Sequence, residues 1–315
     1  MISKEEFLSE CDKIIPHEEM ERYKKCQKRK WLLLLIILPI EVVVWFMLGF
    51  RIKTGWAGVG ILLLVMIVTL VIILVATKFH WKDFKGKYGK QVLEILLKDQ
   101  PFGFEPKMSL NSNFLSNSGF CGNFENCSGE DFFKINIPKD DGTPSNVDFI
   151  MSDLHATRTE TRTVVETDSN GRTTTRTETY TVTVYSGMLG YVCFPFKFKC
   201  NLSLNSLYPV GDKIQLEDIK FNKAFRVYTD NQIEALVILT PTIMEKLKAL
   251  NGRLHNLKLS LTQKGELYVG AGDNMFEIKK KAKPTGKAFE YFYDDLFDIM
   301  AIINEIKDNN KLFKM

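Results

Sequence analysis

The sequence predicts an α+β protein: an N-terminal transmembrane helical hairpin plus a mostly antiparallel cytoplasmic α+β domain with a long projecting β-hairpin. Three observations carry this reading. Two long apolar runs lie close together near the N-terminus. Beyond them, short strand-like runs are interspersed with amphipathic helical stretches. Residues 157–183 alternate threonine with charge around Asn170-Gly171, the strongest two-residue hairpin signal.

With 315 residues the chain has room for about two domains. The reading divides it into a cytoplasmic N-terminal amphipathic helix (1–30), a two-helix transmembrane hairpin (31–77), a helical stalk (78–100) and a cytoplasmic α+β domain (101–315). A net charge of +4 is small for this length, so no nucleic-acid partner is expected.

Residues 3–28 read as helical. Ser3 and Glu6 have capping-box spacing, Phe7, Cys11, Ile14 and Ile15 share a face, and Pro16 divides the stretch. The run 31–50, WLLLLIILPIEVVVWFMLGF, has the length of a bilayer-spanning helix, about 30 Å, with Pro39 as a kink. The run 57–77 is read as its return.

Arg22, Lys24, Lys25, Lys28, Arg29 and Lys30 precede the first run, and Lys78, Lys82, Lys85, Lys87 and Lys90 follow the second. Only Arg51 and Lys53 lie between. This asymmetry predicts a multi-pass membrane protein with both termini cytoplasmic, and it makes membrane lipids expected partners. Glu41 falls near the middle of the first run, where an ionised carboxylate costs at least about 2.5 kcal/mol. A protonated Glu41 is therefore expected to contact Thr69 of the returning run, or its own copy in a homo-oligomer.

Phe84, Tyr88, Val92, Leu93, Ile95 and Leu96 mark a further amphipathic helix to about Lys98. An irregular stretch from Pro101 leads into a strand over 131–137, and a strand over 147–154 opens the threonine-rich arms. Both faces of these arms are polar, so their outer part is expected in solvent. Strand-like runs follow at 189–200, 214–216 and 225–228. Asp230 is read as capping a helix that runs through Leu239. Thr240 is read as capping a second helix, with Pro241 at its first position and Gly252 just beyond its end. Runs 257–261, 266–270 and 275–278 read as a meander, and Phe289, Phe292, Leu296, Ile299, Ile303 and Ile306 trace a terminal helix.

Little in the chain assembles chemistry. His17, His80, His155 and His255 stand singly, without the spacing that turns two imidazoles toward one metal. Cysteines on the reducing side of a membrane are expected to be free. Convergence of Cys121-x5-Cys127 with Cys193-x6-Cys200 on zinc is the alternative, although structural zinc usually takes gaps of two to four residues. Gly270-Ala271-Gly272 sits between strands rather than before a helix, where amides would cradle phosphate. The pairs Glu130-Asp131, Asp140-Asp141 and Asp294-Asp295 are adjacent residues, which diverge on strand or helix. No catalytic, cofactor-binding or metal-binding residue is assigned, and no cofactor is expected.

The block 221–244, FNKAFRVYTDNQIEALVILTPTIM, combines a Phe-x-Val-Tyr strand, an Asp-x-Gln helix and a Leu-Thr-Pro helix start. With Gly129-Glu130-Asp131 and Tyr185-Ser186-Gly187-Met188-Leu189, it resembles a bacterial family of two-span membrane proteins catalogued as domain of unknown function 3137. Leu236-Val237 departs from the family's Arg-aromatic pair. The resemblance implies a bacterial inner-membrane protein with one cytoplasmic domain, and it brings no activity.

The expectation from these residues is a membrane-tethered, non-enzymatic protein-interaction or scaffold protein that binds an unknown protein partner or itself. A small-molecule sensor or enzyme with an unrecognised pocket in the cytoplasmic domain is the alternative. Transport through oligomerised spans, motivated by Glu41, is a third reading.

Overall fold

The computed structural model describes residues 2–51, 64, 66–71, 73, 75, 80–98, 100–137, 147–167, 173–278 and 283–312. The chain divides into two compact units. The smaller comprises Ile2–Ile95 with Ile278–Glu290, and the larger Leu96–Glu277 with Tyr291–Met315.

In the smaller unit, helix α1 (Lys4–Ile14) starts where Ser3 Oγ accepts the Glu6 amide at 3.2 Å. Its apolar side buries Phe7 and Cys11 against a 3₁₀ turn (Gly286–Phe289). There the Gly286 amide donates to Asp12 at 2.7 Å. Helix α2 (His17–Arg51) is a single helix with Pro39 inside it. Helix α3 (Trp81–Leu97) buries the expected stripe of Phe84, Tyr88, Val92 and Leu93. The Phe84 ring stacks on Phe289 at 5.5 Å.

The transmembrane hairpin is not borne out. Among the described residues no helix is long and apolar enough to cross a membrane. The apolar run from Trp31 is the second half of α2, whose first half, residues 17–30, is dense in charge. Most of the expected return, 57–77, lies outside the described residues. The multi-pass localisation and the cytoplasmic placement of both termini rested on those spans and fall with them. Thr69 is helical, but the side chain of Glu41 is outside the described residues, and so is the contact expected between them.

The larger unit is built on one nine-stranded sheet of order β1-β2-β3-β4-β9-β8-β5-β7-β6. Its strands are β1 (Phe102–Glu105), β2 (Asn126–Asn136), β3 (Asp148–Thr167), β4 (Thr173–Cys193), β5 (Leu202–Leu204), β6 (Asp212–Ile214), β7 (Val227–Thr229), β8 (Lys258–Leu261) and β9 (Glu266–Gly270). Every pairing is antiparallel. The α+β, mostly antiparallel class expected from the sequence is therefore present.

An apolar cluster joins Leu154, Ala156, Tyr185, Leu189 and Tyr268 of the sheet to Leu110, Leu115, Phe120 and Cys121, around the short helix α4 (Ser112–Ser118). A second core is aromatic. The Phe276 ring meets Phe133 of β2 at 5.4 Å and Phe292 of the terminal helix α8 (Glu290–Leu312) at 4.9 Å.

Three shorter helices complete the unit: α5 (Ile219–Ala224), α6 (Gln232–Ile238) and α7 (Pro241–Arg253). Thr240 caps α7 through the Ile243 amide, with Pro241 at the first turn. Asn231, not Asp230, caps α6. Asp230 instead ties down the Asn201 amide at 2.8 Å, together with the Asn201 and Gln263 side chains. Gly252 lies inside α7, because the helix runs one residue further. Residues 275–278 form no strand, since the Met275 amide is taken by the Asp153 carboxylate at 2.8 Å rather than by a ladder.

Candidate functional site

The polar arms form a ribbon that leaves the sheet at a bulge. Ala156 pairs with Tyr185 but Thr157 pairs with Thr183, so Val184 is the additional residue. Such an insertion increases local twist and redirects a strand. Beyond it β3 and β4 run in unbroken register from Thr157↔Thr183 to Thr167↔Thr173. Eleven residues per arm make a ribbon about 35 Å long.

Residues opposite one another in an antiparallel pair share a face. One face of the ribbon is threonine at every position except Val165, because odd-numbered residues of β3 oppose odd-numbered residues of β4. The other face carries Arg158, Glu160, Arg162 and Glu166 opposite Val182, Tyr180, Glu178 and Thr174.

Charge alternates along this second face and is locally neutralised. Arg158 donates through Nε to Glu160 at 2.8 Å, and Tyr180 donates to the second Glu160 oxygen at 2.9 Å. Arg158 and then Tyr180 hold the Glu160 carboxyl below its usual range, while the Glu160 bond raises the Tyr180 phenol. Glu178 binds Arg162 and also Arg176, the latter at 2.7 Å, and Arg176 reaches Glu166 at 3.0 Å. The Arg162 guanidinium lies 5.8 Å from the Tyr180 ring centre.

The ribbon's root is clamped from the end of the irregular stretch that precedes β2. The Glu125 amide donates to the Thr157 carbonyl at 2.9 Å. The Glu125 carboxylate accepts from the Thr159 amide at 3.1 Å and from its hydroxyl at 2.6 Å. These bonds show which way the backbone points. The amides and carbonyls of odd residues face away from the partner strand, and opposition of odd with odd gives β4 the same parity. β2 stops at Thr157 on one side, and β9 reaches only Leu189 on the other. Past the clamp, among the described residues, neither outer edge of the ribbon has a ladder partner.

Behind the root, the Lys258 ammonium donates to the Phe120 carbonyl at 2.7 Å and lies 5.8 Å from the centre of the Tyr185 ring. Burial lowers the Lys258 pKa and pushes up the thiols of Cys121 and Cys127, which share the apolar cluster. The four cysteines do not converge. Cys193 is exposed, Cys200 is buried, and among the described residues no metal-sized group of donors includes a thiol. Glu130, Asp131 and Glu277 do bring carboxylate oxygens within 4.8 Å of one another.

His155 and His255 are exposed; His255 Nδ1 is 2.7 Å from the Asp273 carboxylate. His80 lines a groove of about 100 Å³ in the smaller unit with Glu19, Arg22, Asp83 and Lys87. That is below the roughly 300 Å³ at which small-molecule pockets begin. Its buried carboxylate, Glu19, already accepts from Arg22, Lys87 and Tyr88 at 3.1 to 3.3 Å.

No curated protein and no solved structure matches this chain. The sequence profile of the family described as Protein of unknown function (DUF3137) matches residues 149–308, a stretch that holds both arms of the ribbon, and the chain belongs to that family.

Proposed function

We propose that this chain is a non-enzymatic protein-interaction protein whose ribbon is the working element. The observation that carries this reading is the pair of strand edges that, among the described residues, have no ladder partner beyond the Glu125 clamp. Each offers a row of amides and carbonyls to an incoming strand, the mode by which exposed edges capture partners. A two-stranded ribbon is marginal by itself, so a third strand also supplies stability it lacks. The family resemblance implies a bacterial protein.

The test shortens the ribbon and leaves its root in place. Residues 161–179 are replaced by Asn-Gly, which closes a hairpin directly on the Glu160↔Tyr180 pair. Affinity purification of the full chain and the shortened chain, compared by quantitative mass spectrometry, should show partners lost with the ribbon. An unchanged set of co-purifying proteins refutes the proposal.

A further inference from the structure

The two edges of the ribbon are not equivalent, and the difference selects a partner. On β3, Thr157 and Thr159 are occupied by Glu125, so a strand added there would meet β2 within a few residues. On β4, residues 173–183 are separated from the β9 pairing by the stretch up to Leu189. Edges are commonly protected by lysine, by proline or by inward-pointing charge. The β4 segment, TTTRTETYTVT, has neither lysine nor proline. Its two charges, Arg176 and Glu178, are of opposite sign and flank Thr177 symmetrically.

That symmetry makes the edge self-complementary. If two copies of β4 run antiparallel about a twofold axis at Thr177, Arg176 of each chain opposes Glu178 of the other, and Thr174 opposes Tyr180. The remaining positions out to Thr173 and Thr181 pair threonine with threonine. Odd residues supply the outward-facing backbone groups, so this register forms five hydrogen-bonded pairs, about ten new bonds. The twofold registers on β3 either require Thr157 or Thr159, already bonded to Glu125, or bring Glu160 opposite Glu166, or, about Val164 and beyond, form at most about four hydrogen-bonded pairs. A strand whose faces are both polar specifies register weakly, which leaves the charge pattern to set it.

We infer that the β4 edge is a homotypic docking site: a second copy of this chain pairs with it antiparallel about Thr177, giving a four-stranded sheet β3-β4-β4-β3. This rests on the interaction reading above and names its partner.

Sedimentation equilibrium of the purified full chain tests it. The wild type should dimerise. Thr177→Pro removes an outward-facing amide without breaking a β3 bond, and it should weaken dimerisation at least about tenfold with unchanged circular dichroism. Thr163→Pro, the equivalent change on the β3 edge, should leave the dimer intact. Arg176→Glu and Glu178→Arg should each be monomeric alone and should associate when mixed, since both crossed pairs then become attractive. A wild type that stays monomeric, equal loss in both proline variants, or no association in the mixture overturns the inference. If the chain is monomeric while removal of residues 161–179 still strips away other proteins, the homotypic pairing fails and the broader interaction reading stands.

Discussion

Glu178 holds Arg162, its cross-strand partner, by two hydrogen bonds to a single carboxylate oxygen, from Nε at 3.0 Å and Nη2 at 2.8 Å. The other oxygen takes Arg176. One carboxylate therefore ties two arginines across the outer ribbon, at a distance from the packed sheet where apolar contacts no longer help.

Replacing Glu178 by Gln should loosen the ribbon and leave the body unchanged. Exposed ion pairs contribute about 0.2–1 kcal/mol, so amide exchange within the outer arms should accelerate about twofold. Exchange at residues 149–154, in the sheet proper, should not move. Hydrogen exchange read by mass spectrometry resolves the two segments, and uniform acceleration of both would show that the ribbon does not open independently.

Two glycines give opposite expectations under the same substitution. Gly187 has φ of +136°, and a methyl group there would land on the Ala271 carbonyl, whose segment is fixed by the Ala271 amide bonding Met188. Gly187→Ala should cost about 3 kcal/mol. Gly252 lies within α7, with nothing inside 4 Å of an added methyl. Gly252→Ala should stabilise by about 0.5–1 kcal/mol through lower unfolded-state entropy. Urea unfolding midpoints measure both, and equal midpoints would remove the close approach at Gly187.

Much of this architecture was legible because its signals are local. Alternation over 157–183 gives strands, Thr240-Pro241 gives a helix start, and the spacing from Phe289 to Ile306 gives a terminal helix. Other features were illegible because their partners are distant in sequence. The Val184 bulge arises from a register shift between arms, which composition does not encode. Glu125 clamps Thr159 across 34 residues. Asp230 looks like a cap beside α6, yet Asn201 and Gln263 compete for it and Asn231 takes the role. The membrane reading failed differently: taken locally the apolar runs read as spans, whereas residues 31–50 continue the charged helix that begins at His17 and, among the described residues, no helix is long and apolar enough to cross a membrane.

Thiol reactivity should separate the cysteines by burial. Burial first, and then the neighbouring Asp12 and Glu10 carboxylates, push Cys11 up to about 12. Burial likewise raises Cys200 to about 11, against a hydrogen bond from Thr229 that lowers it. The thiolate is the reactive form, so neither should react with iodoacetamide at about pH 8 in the native protein. Cys193 is exposed and should be alkylated first. Peptide mapping after a timed reaction gives the order, and early labelling of Cys11 would contradict its packing against the Gly286 turn.

Asp218 should make stability depend on acid pH. Its Oδ2 accepts from Lys248 of α7 at 2.8 Å, and its Oδ1 caps α5 through the Phe221 amide at 3.0 Å. Lys248 first, and the Phe221 amide second, hold its carboxyl below the ordinary value of 3.8. A carboxyl depressed on folding binds fewer protons in the native state, so its contribution is complete above 3.8 and is lost as pH falls below it. Asn at this position keeps an oxygen for the cap and removes the charge. Between about pH 5 and pH 3 the wild-type urea midpoint should therefore fall further than that of Asp218→Asn. Equal losses in the two proteins would mean that the α5–α7 ion pair plays no part in acid sensitivity, and that the cap alone accounts for the role of Asp218.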